Sequence, residues 1–94
     1  MGRRVAFLCM ITARGTIEGD EIFGNAHAGI AVASDSTPFV SGNHIYNNRE
    51  YGVNINNGGS GRYVDNYIHD NQRGNWQITD DSTVEWGDGQ ERRP

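Results

Sequence analysis

Six side chains that can stack on ligands or carry protons recur with a 23-residue period, on either side of an isoleucine with the same period. One set comprises Glu21, His44 and Tyr67, and the other comprises Phe23, Tyr46 and His69. Aromatic rings can stack on sugar faces, and phenol, imidazole and carboxylate groups hydrogen-bond to hydroxyls. The pattern therefore predicts a surface that binds a glycan or a protein partner. The alternative is that aromatic residues simply suit exposed strand positions.

Metal binding is a second chemistry that these residues could support. His44 and His69 with Glu21 have the donor types that copper and zinc prefer. The two histidines occupy adjacent repeats but are offset along the strand, which predicts Cβ atoms about 7–8 Å apart. Because the remaining histidine, His27, also falls in a turn elsewhere, we expect no metal site and no cofactor.

The carboxylates do not form a pattern that supports catalysis. Asp80 and Asp81 are adjacent and would face opposite sides of an extended chain. Asp65 and Asp70 lie on either side of the strand expected around Ile68. Carbohydrate cleavage requires converging carboxylates, or calcium-binding acids with a basic residue nearby. We therefore expect no catalytic residue in this chain and a function other than that of an enzyme.

The elements that position these groups follow a 23-residue repeat over residues 15–37, 38–60 and 61–83, without a gap. Four apolar columns run through the three repeats, and their spacing alternates with the period of two that is typical of strands. No segment shows helical periodicity. The columns are Ile17, Val40 and Tyr63; Ile22, Ile45 and Ile68; Ile30, Val53 and Trp76; and Val32, Ile55 and Ile78.

Two further columns consist of polar residues: Asp20, Asn43 and Asn66, and Asn25, Asn48 and Asn71. An inward asparagine at a bend can bond its own backbone and the amides above and below it. Since each repeat is too short to bury its apolar side chains alone, the repeats must stack. We expect like residues to lie directly above one another and the asparagine columns to be buried.

The motif G-x-I-x-x-N-x-I-x-x-N-x-x-x-G-I-x-I resembles the single-stranded right-handed parallel β-helix repeat. The segments from Thr16 to Val32, Phe39 to Ile55 and Arg62 to Ile78 carry it, with Asp20 in place of the first Asn and Asn75 in place of the second Gly. Similar repeats occur in pectate-lyase-like proteins, alginate epimerases, NosD-type periplasmic proteins and the F-box-only protein 11 family. The resemblance implies an all-β, right-handed parallel β-helix but no particular function.

The ends of the chain are expected to depart from the full repeat. Within a β-helix region over residues 1–87, partial coils are predicted at residues 5–14, where Ala6 to Thr12 would form a strand, and at residues 84–87. A frayed tail is predicted over residues 88–94. The single cysteine, Cys9, would be a packed thiol. Bare strand edges at both ends favour a place within a longer solenoid or end-to-end self-association.

Composition excludes several kinds of partner. The net charge is −4, with 12 acidic residues, 8 arginines and no lysine, which argues against a nucleic-acid-binding surface. The longest apolar run, Val5 to Ile11, is too short to span a membrane. No compartment is indicated. The sequence thus favours a non-catalytic β-helix module; the alternative is a piece of a carbohydrate-active lyase or epimerase whose catalytic residues lie outside this chain.

Overall fold

Short parallel strands account for all the regular structure that the described residues form. The computed structural model describes residues 4–6, 15–33 and 36–91, with backbone alone for residues 4–6, and it shows no helix in these ranges. The strands are β1 Arg4–Ala6, β2 Thr16–Glu18, β3 Asp20–Phe23, β4 Ile30–Val32, β5 Phe39–Ser41, β6 His44–Tyr46, β7 Tyr51–Ile55, β8 Arg62–Val64, β9 Tyr67–His69, β10 Gly74–Ile78 and β11 Glu85–Trp86.

The strands form three parallel sheets that wind as a solenoid of about 3 turns. Sheet A has the order β1-β3-β6-β9, sheet B has β4-β7-β10 and sheet C has β2-β5-β8-β11. Ile22 pairs with Ile45, and Ile45 pairs with Ile68, so equivalent positions of successive repeats lie beside one another. The same register holds in sheets B and C. The predicted all-β parallel solenoid with stacked repeats is confirmed.

The four apolar columns fill the interior of the solenoid. Ile22, Ile30, Ile45, Val53 and Ile55 have no exposed surface, and the whole cluster is continuous from coil to coil. Burying one such side chain stabilises the fold by about 1.5–3 kcal/mol. In the last full coil two of the four columns change to aromatic residues, and Trp76 lies edge-on to Tyr63 at 5.4 Å and to Trp86 at 4.8 Å between ring centroids. These larger side chains close the core at its C-terminal end.

The two polar columns form buried hydrogen-bonded ladders at the corners, as predicted. Asn43 Nδ2 donates to Asn66 Oδ1 at 2.9 Å, and Asn48 Nδ2 donates to Asn71 Oδ1 at 2.8 Å. The residue before each of these corner positions has a positive φ, which turns the chain so that the next side chain points inward. The positive-φ residues that precede these corner positions are Gly19, Gly42, Asp65, Gly24, Asn47 and Asp70.

The glycine of the motif is required where two coils approach closely. A Cβ atom on Gly52 would lie 2.4 Å from Ile68 Cγ2 of the next coil, and one on Gly29 would lie 2.8 Å from Ile45 Cγ2. Asn75 replaces glycine in the third repeat. By the spacing that separates Gly52 from Ile68, the residue that would contact a Cβ atom at position 75 is Glu91 and not an isoleucine. The contact that requires glycine in the first two repeats therefore does not recur at Asn75.

Both ends depart from the register of the full coils. β1 pairs with β3 outside that register, with Arg4 beside Asp20 and Ala6 beside Ile22; the rest of the predicted strand, and Cys9, lie outside the described residues. At the other end, Gln90 Oε1 accepts hydrogen bonds from the backbone N of Asn66 at 3.0 Å and from its Nδ2 at 2.7 Å. Gln90, within the stretch for which a frayed tail is predicted, thus continues the ladder, and residues 92–94 lie outside the described part.

Within the described ranges, the search for a helix long and apolar enough to cross a membrane found none.

Candidate functional site

The structure brings the six predicted site residues together on the outer side of sheet A. The paired columns are Glu21, His44 and Tyr67, and Phe23, Tyr46 and His69. Side chains alternate across a strand, so the burial of the isoleucine between each pair turns both neighbours outward. We call this surface of six residues the ring face.

Four of the rings form a two-by-two grid on β6 and β9, the last two strands of the ring face. Within each column, His44 lies over Tyr67 with centroids 5.1 Å apart, and Tyr46 lies over His69 at 5.6 Å. Along each strand, His44 contacts Tyr46 at 4.3 Å and Tyr67 contacts His69 at 4.4 Å. Phe23 extends the second column by stacking on Tyr46 at 5.1 Å. The rings therefore support one another as a continuous surface.

Polar atoms of the ring face are joined diagonally between the columns. His44 Nε2 lies 2.7 Å from His69 Nε2, and the Tyr46 hydroxyl donates to Glu21 Oε1 at 3.0 Å. The sequence predicted only that the Cβ atoms of the two histidines would be about 7–8 Å apart. The imidazoles meet because long side chains on diagonal positions lean towards each other across the strands.

Asp70 belongs to this site although the sequence patterns did not identify it. Its Oδ2 lies 2.8 Å from His69 Nδ1. Asp70 adopts φ 55 at the corner after β9, which places its carboxylate beside the preceding side chain. A histidine followed directly by an acidic residue at a turn position was the signal that could have found it.

Exposure differs across the ring face. The Tyr67 side chain is the most open, at 63 % exposure, whereas the other five residues are half-buried. Burial lowers the pKa of His44; the neighbouring His69 lowers it further, and Glu21 opposes the shift. The lowered pKa favours the neutral imidazole of His44, which can both donate and accept hydrogen bonds.

A shallow concavity lies away from the ring face, on the outer side of sheet C. Its volume is about 470 Å³. Phe39, Arg62 and Glu85 line it from one column, with the hydroxyls of Thr37, Ser60 and Thr83 beside them. Arg62 Nη1 and Glu85 Oε1 are 3.5 Å apart and both side chains are well exposed. This concavity was not predicted, because apolar periodicity does not identify a column of hydroxyl groups.

Among the residues that the structure describes, no group of three or more His, Cys, Asp or Glu side chains converges as a metal-binding set.

Comparison with known proteins identifies the fold. A family model described as the right handed beta helix region matches residues 2–86, which is most of the chain and includes all six residues of the ring face. Searches of curated proteins and of solved structures gave no match.

Proposed function

Because the chain belongs to the right-handed β-helix family, we propose that it acts as a non-catalytic β-helix module and binds a glycan along the ring face. The family establishes the scaffold, and the same scaffold serves many functions, so the proposal depends on the site itself. The observation that carries it is the grid formed by His44, Tyr46, Tyr67 and His69. Rings with polar edges are suited to stacking on a sugar while bonding its hydroxyls.

The spacing of the grid suits a repeating ligand. Neighbouring strands of a sheet lie about 4.8 Å apart, so rings and polar groups recur at that interval along the solenoid axis. A polymer that lies parallel to the axis would meet similar groups on successive coils. Preformed ring contacts also reduce the side-chain entropy that is lost on binding.

Charge favours a neutral glycan over an acidic one. Glu21 lies within the ring face and Asp70 lies at its edge, while none of the six residues is an arginine. The chain as a whole carries a net charge of −4. An anionic polymer would therefore approach like charges, whereas neutral sugar hydroxyls can donate to both carboxylates.

A glycan array followed by calorimetry on the hits tests the proposal. We expect binding of neutral oligosaccharides by the unmodified chain. For Tyr46→Ala with His69→Ala we expect a loss of affinity of about 5- to 150-fold, since ring contacts contribute about 0.5–1.5 kcal/mol each and about 1.4 kcal/mol is a factor of ten. Phe39→Ala is the matched control, because Phe39 is a half-buried outward aromatic residue of sheet C. Unchanged binding by the double variant, or equal loss in the control, would contradict a site on the ring face.

A protein partner is the other outcome of this experiment. If no glycan binds, and a protein ligand binds the unmodified chain and the control but not the double variant, the ring face is a protein interface and the glycan proposal is wrong.

A further inference from the structure

The contact between His44 and His69 has the geometry of a hydrogen bond between two ring edges. The Nε2 atoms are 2.7 Å apart, the ring centroids are 4.9 Å apart and the rings are inclined by 26°. The centroid distance exceeds the nitrogen distance by about the sum of the two ring radii, measured from each centroid to its Nε2 atom. Both nitrogens therefore lie near the line that joins the ring centres, and each in-plane lone pair or N–H points at the other ring.

This gap is the right size for a proton and too small for a metal ion. Zinc–imidazole bonds are about 2.0–2.1 Å long, so an ion on the line between the nitrogens would hold them about 4 Å apart. A hydrogen-bonded pair of nitrogens lies close to the observed distance. The pair therefore shares one proton between its Nε2 atoms.

Asp70 determines the direction of this hydrogen bond. An ionised carboxylate can only accept, so His69 Nδ1, 2.8 Å from Asp70 Oδ2, carries a hydrogen. The Nε2 atom of a neutral His69 is then an acceptor, and His44 Nε2 must be the donor. These tautomers follow from the hydrogen-bond network. They leave His44 Nδ1 as the basic nitrogen of the pair.

The pair can gain one proton but not two without breaking. The first added proton binds His44 Nδ1 and leaves the shared hydrogen bond in place, strengthened by the charge. A second added proton must bind the Nε2 lone pair of His69, which puts two N–H groups and two positive charges in contact. The groups that face the pair are Glu21 from β3, Tyr46 from β6, and Tyr67 and Asp70 from β9 or its end.

Separation of the pair would disturb the whole grid. His44 contacts both Tyr46 and Tyr67, and His69 contacts the same two rings. A doubly protonated pair cannot keep both imidazoles in these positions. Acid therefore removes the packed arrangement of rings that a sugar would contact.

We propose that the His44–His69 pair is a proton-operated latch, which holds the rings of the ring face in their packed arrangement at neutral pH and separates them in acid so that the ligand is released. The proposal rests on the ring face being the binding surface. It adds a regulation of that surface by pH. Burial and the neighbouring His69 both hold the pKa of His44 below its ordinary value of 6.5. The first added proton therefore binds on the acid side of that pH, and the second proton, which separates the rings, binds at a still lower pH.

Nuclear magnetic resonance of the imidazole nitrogens tests the latch without any ligand. In the ¹⁵N-labelled chain we expect a scalar coupling between His44 Nε2 and His69 Nε2 at neutral pH, lost when both rings become charged. Asp70→Asn should change the tautomer of His69, because the anionic acceptor is removed. Absence of the coupling at neutral pH, or its persistence with both rings protonated, would overturn the proposal.

Binding of a neutral oligosaccharide at several pH values tests the release. If the ligand binds only the latched state, affinity should fall by up to about tenfold per pH unit in the acid range. His44→Gln, which lacks the latch and one ring of the grid, should bind more weakly than the wild type at neutral pH, with an affinity that is nearly independent of pH in this range. The matched control His27→Gln, which changes the exposed histidine paired with Glu50, should keep the wild-type dependence.

The two measurements separate the latch from the proposed function. Loss of the coupling in acid together with pH-independent glycan affinity would overturn the release. If the coupling is present at neutral pH and lost in acid but no glycan binds at any pH, the glycan function is wrong and the shared proton stands. We expect the scalar coupling and the glycan affinity to be lost together in acid, and only in chains that keep both His44 and His69.

Discussion

Replacement of Asn48 by alanine is predicted to remove the central contact of a buried ladder. The Asn48 side chain has no exposed surface. Its Oδ1 accepts from the backbone N of Asn25 at 3.1 Å and from Asn25 Nδ2 at 2.8 Å, and its Nδ2 donates to Asn71 Oδ1 at 2.8 Å. Its Nδ2 also donates to the Ile22 carbonyl at 3.4 Å. The change to alanine leaves two donors of Asn25 buried without this acceptor.

The magnitude follows from these orphaned groups. An unsatisfied buried donor or acceptor costs about 1–3 kcal/mol, so the two donors of Asn25 alone account for about 2–6 kcal/mol. This is a large share of the about 5–15 kcal/mol that stabilises a typical domain. The coils should therefore unfold at a much lower urea concentration.

Urea denaturation followed by tryptophan fluorescence measures this loss, because Trp76 and Trp86 lie at the end of the core. Asn75→Ala is the matched control: Asn75 is half-buried and belongs to neither ladder, and we expect a change of about 0.5 kcal/mol or less. A loss below about 1 kcal/mol for Asn48→Ala would refute the reasoning that the ladder stabilises the stack.

Three further changes test other parts of the structure. Gly52→Ala should destabilise the chain by about 1–3 kcal/mol in thermal melts, because the added Cβ meets the next coil at 2.4 Å, whereas Gly15→Ala, with open space around it, should have little effect. Gln90→Ala should increase hydrogen exchange at the Asn66 amide, which donates to the Gln90 side chain; unchanged exchange would show that this contact does not protect the ladder. Because the pKa of His44 is lowered in the folded chain, the unfolded chain binds more protons than the folded chain below pH 6.5. The contribution of His44 to stability is therefore complete above that pH and is lost as the pH falls towards the folded-state pKa. In urea melts, the free energy of unfolding of the wild type should therefore fall relative to that of His44→Gln as the pH is lowered. A wild-type free energy that rises relative to the variant in acid would contradict the lowered pKa of His44.

The fold could be predicted from the sequence because one period fixes the register of every full coil. With a 23-residue repeat and no gap, the alignment of Ile22 with Ile45 and Ile68 also determines which neighbours face outward. The six residues of the ring face follow from that alignment alone. The asparagine ladders follow as well, since a buried amide at a corner can satisfy the coils on both sides.

Contacts that cross the columns could not be predicted in the same way. The bond between His44 and His69 depends on side-chain direction, which column alignment does not specify. Gln90 reaches the ladder from one position out of register, because its longer side chain compensates for the shift. The pairing of β1 with β3, which sets Ala6 beside Ile22, likewise has no counterpart in the repeat.

Contacts between isoleucine methyl groups test the stacked coils most directly. In a chain labelled at isoleucine methyls, nuclear Overhauser effects should connect Ile22 with Ile45 and Ile45 with Ile68, while Ile22 and Ile68, two coils apart, should show none. A strong effect between Ile22 and Ile68, or none involving Ile45, would contradict the arrangement on which the ring face and its latch depend.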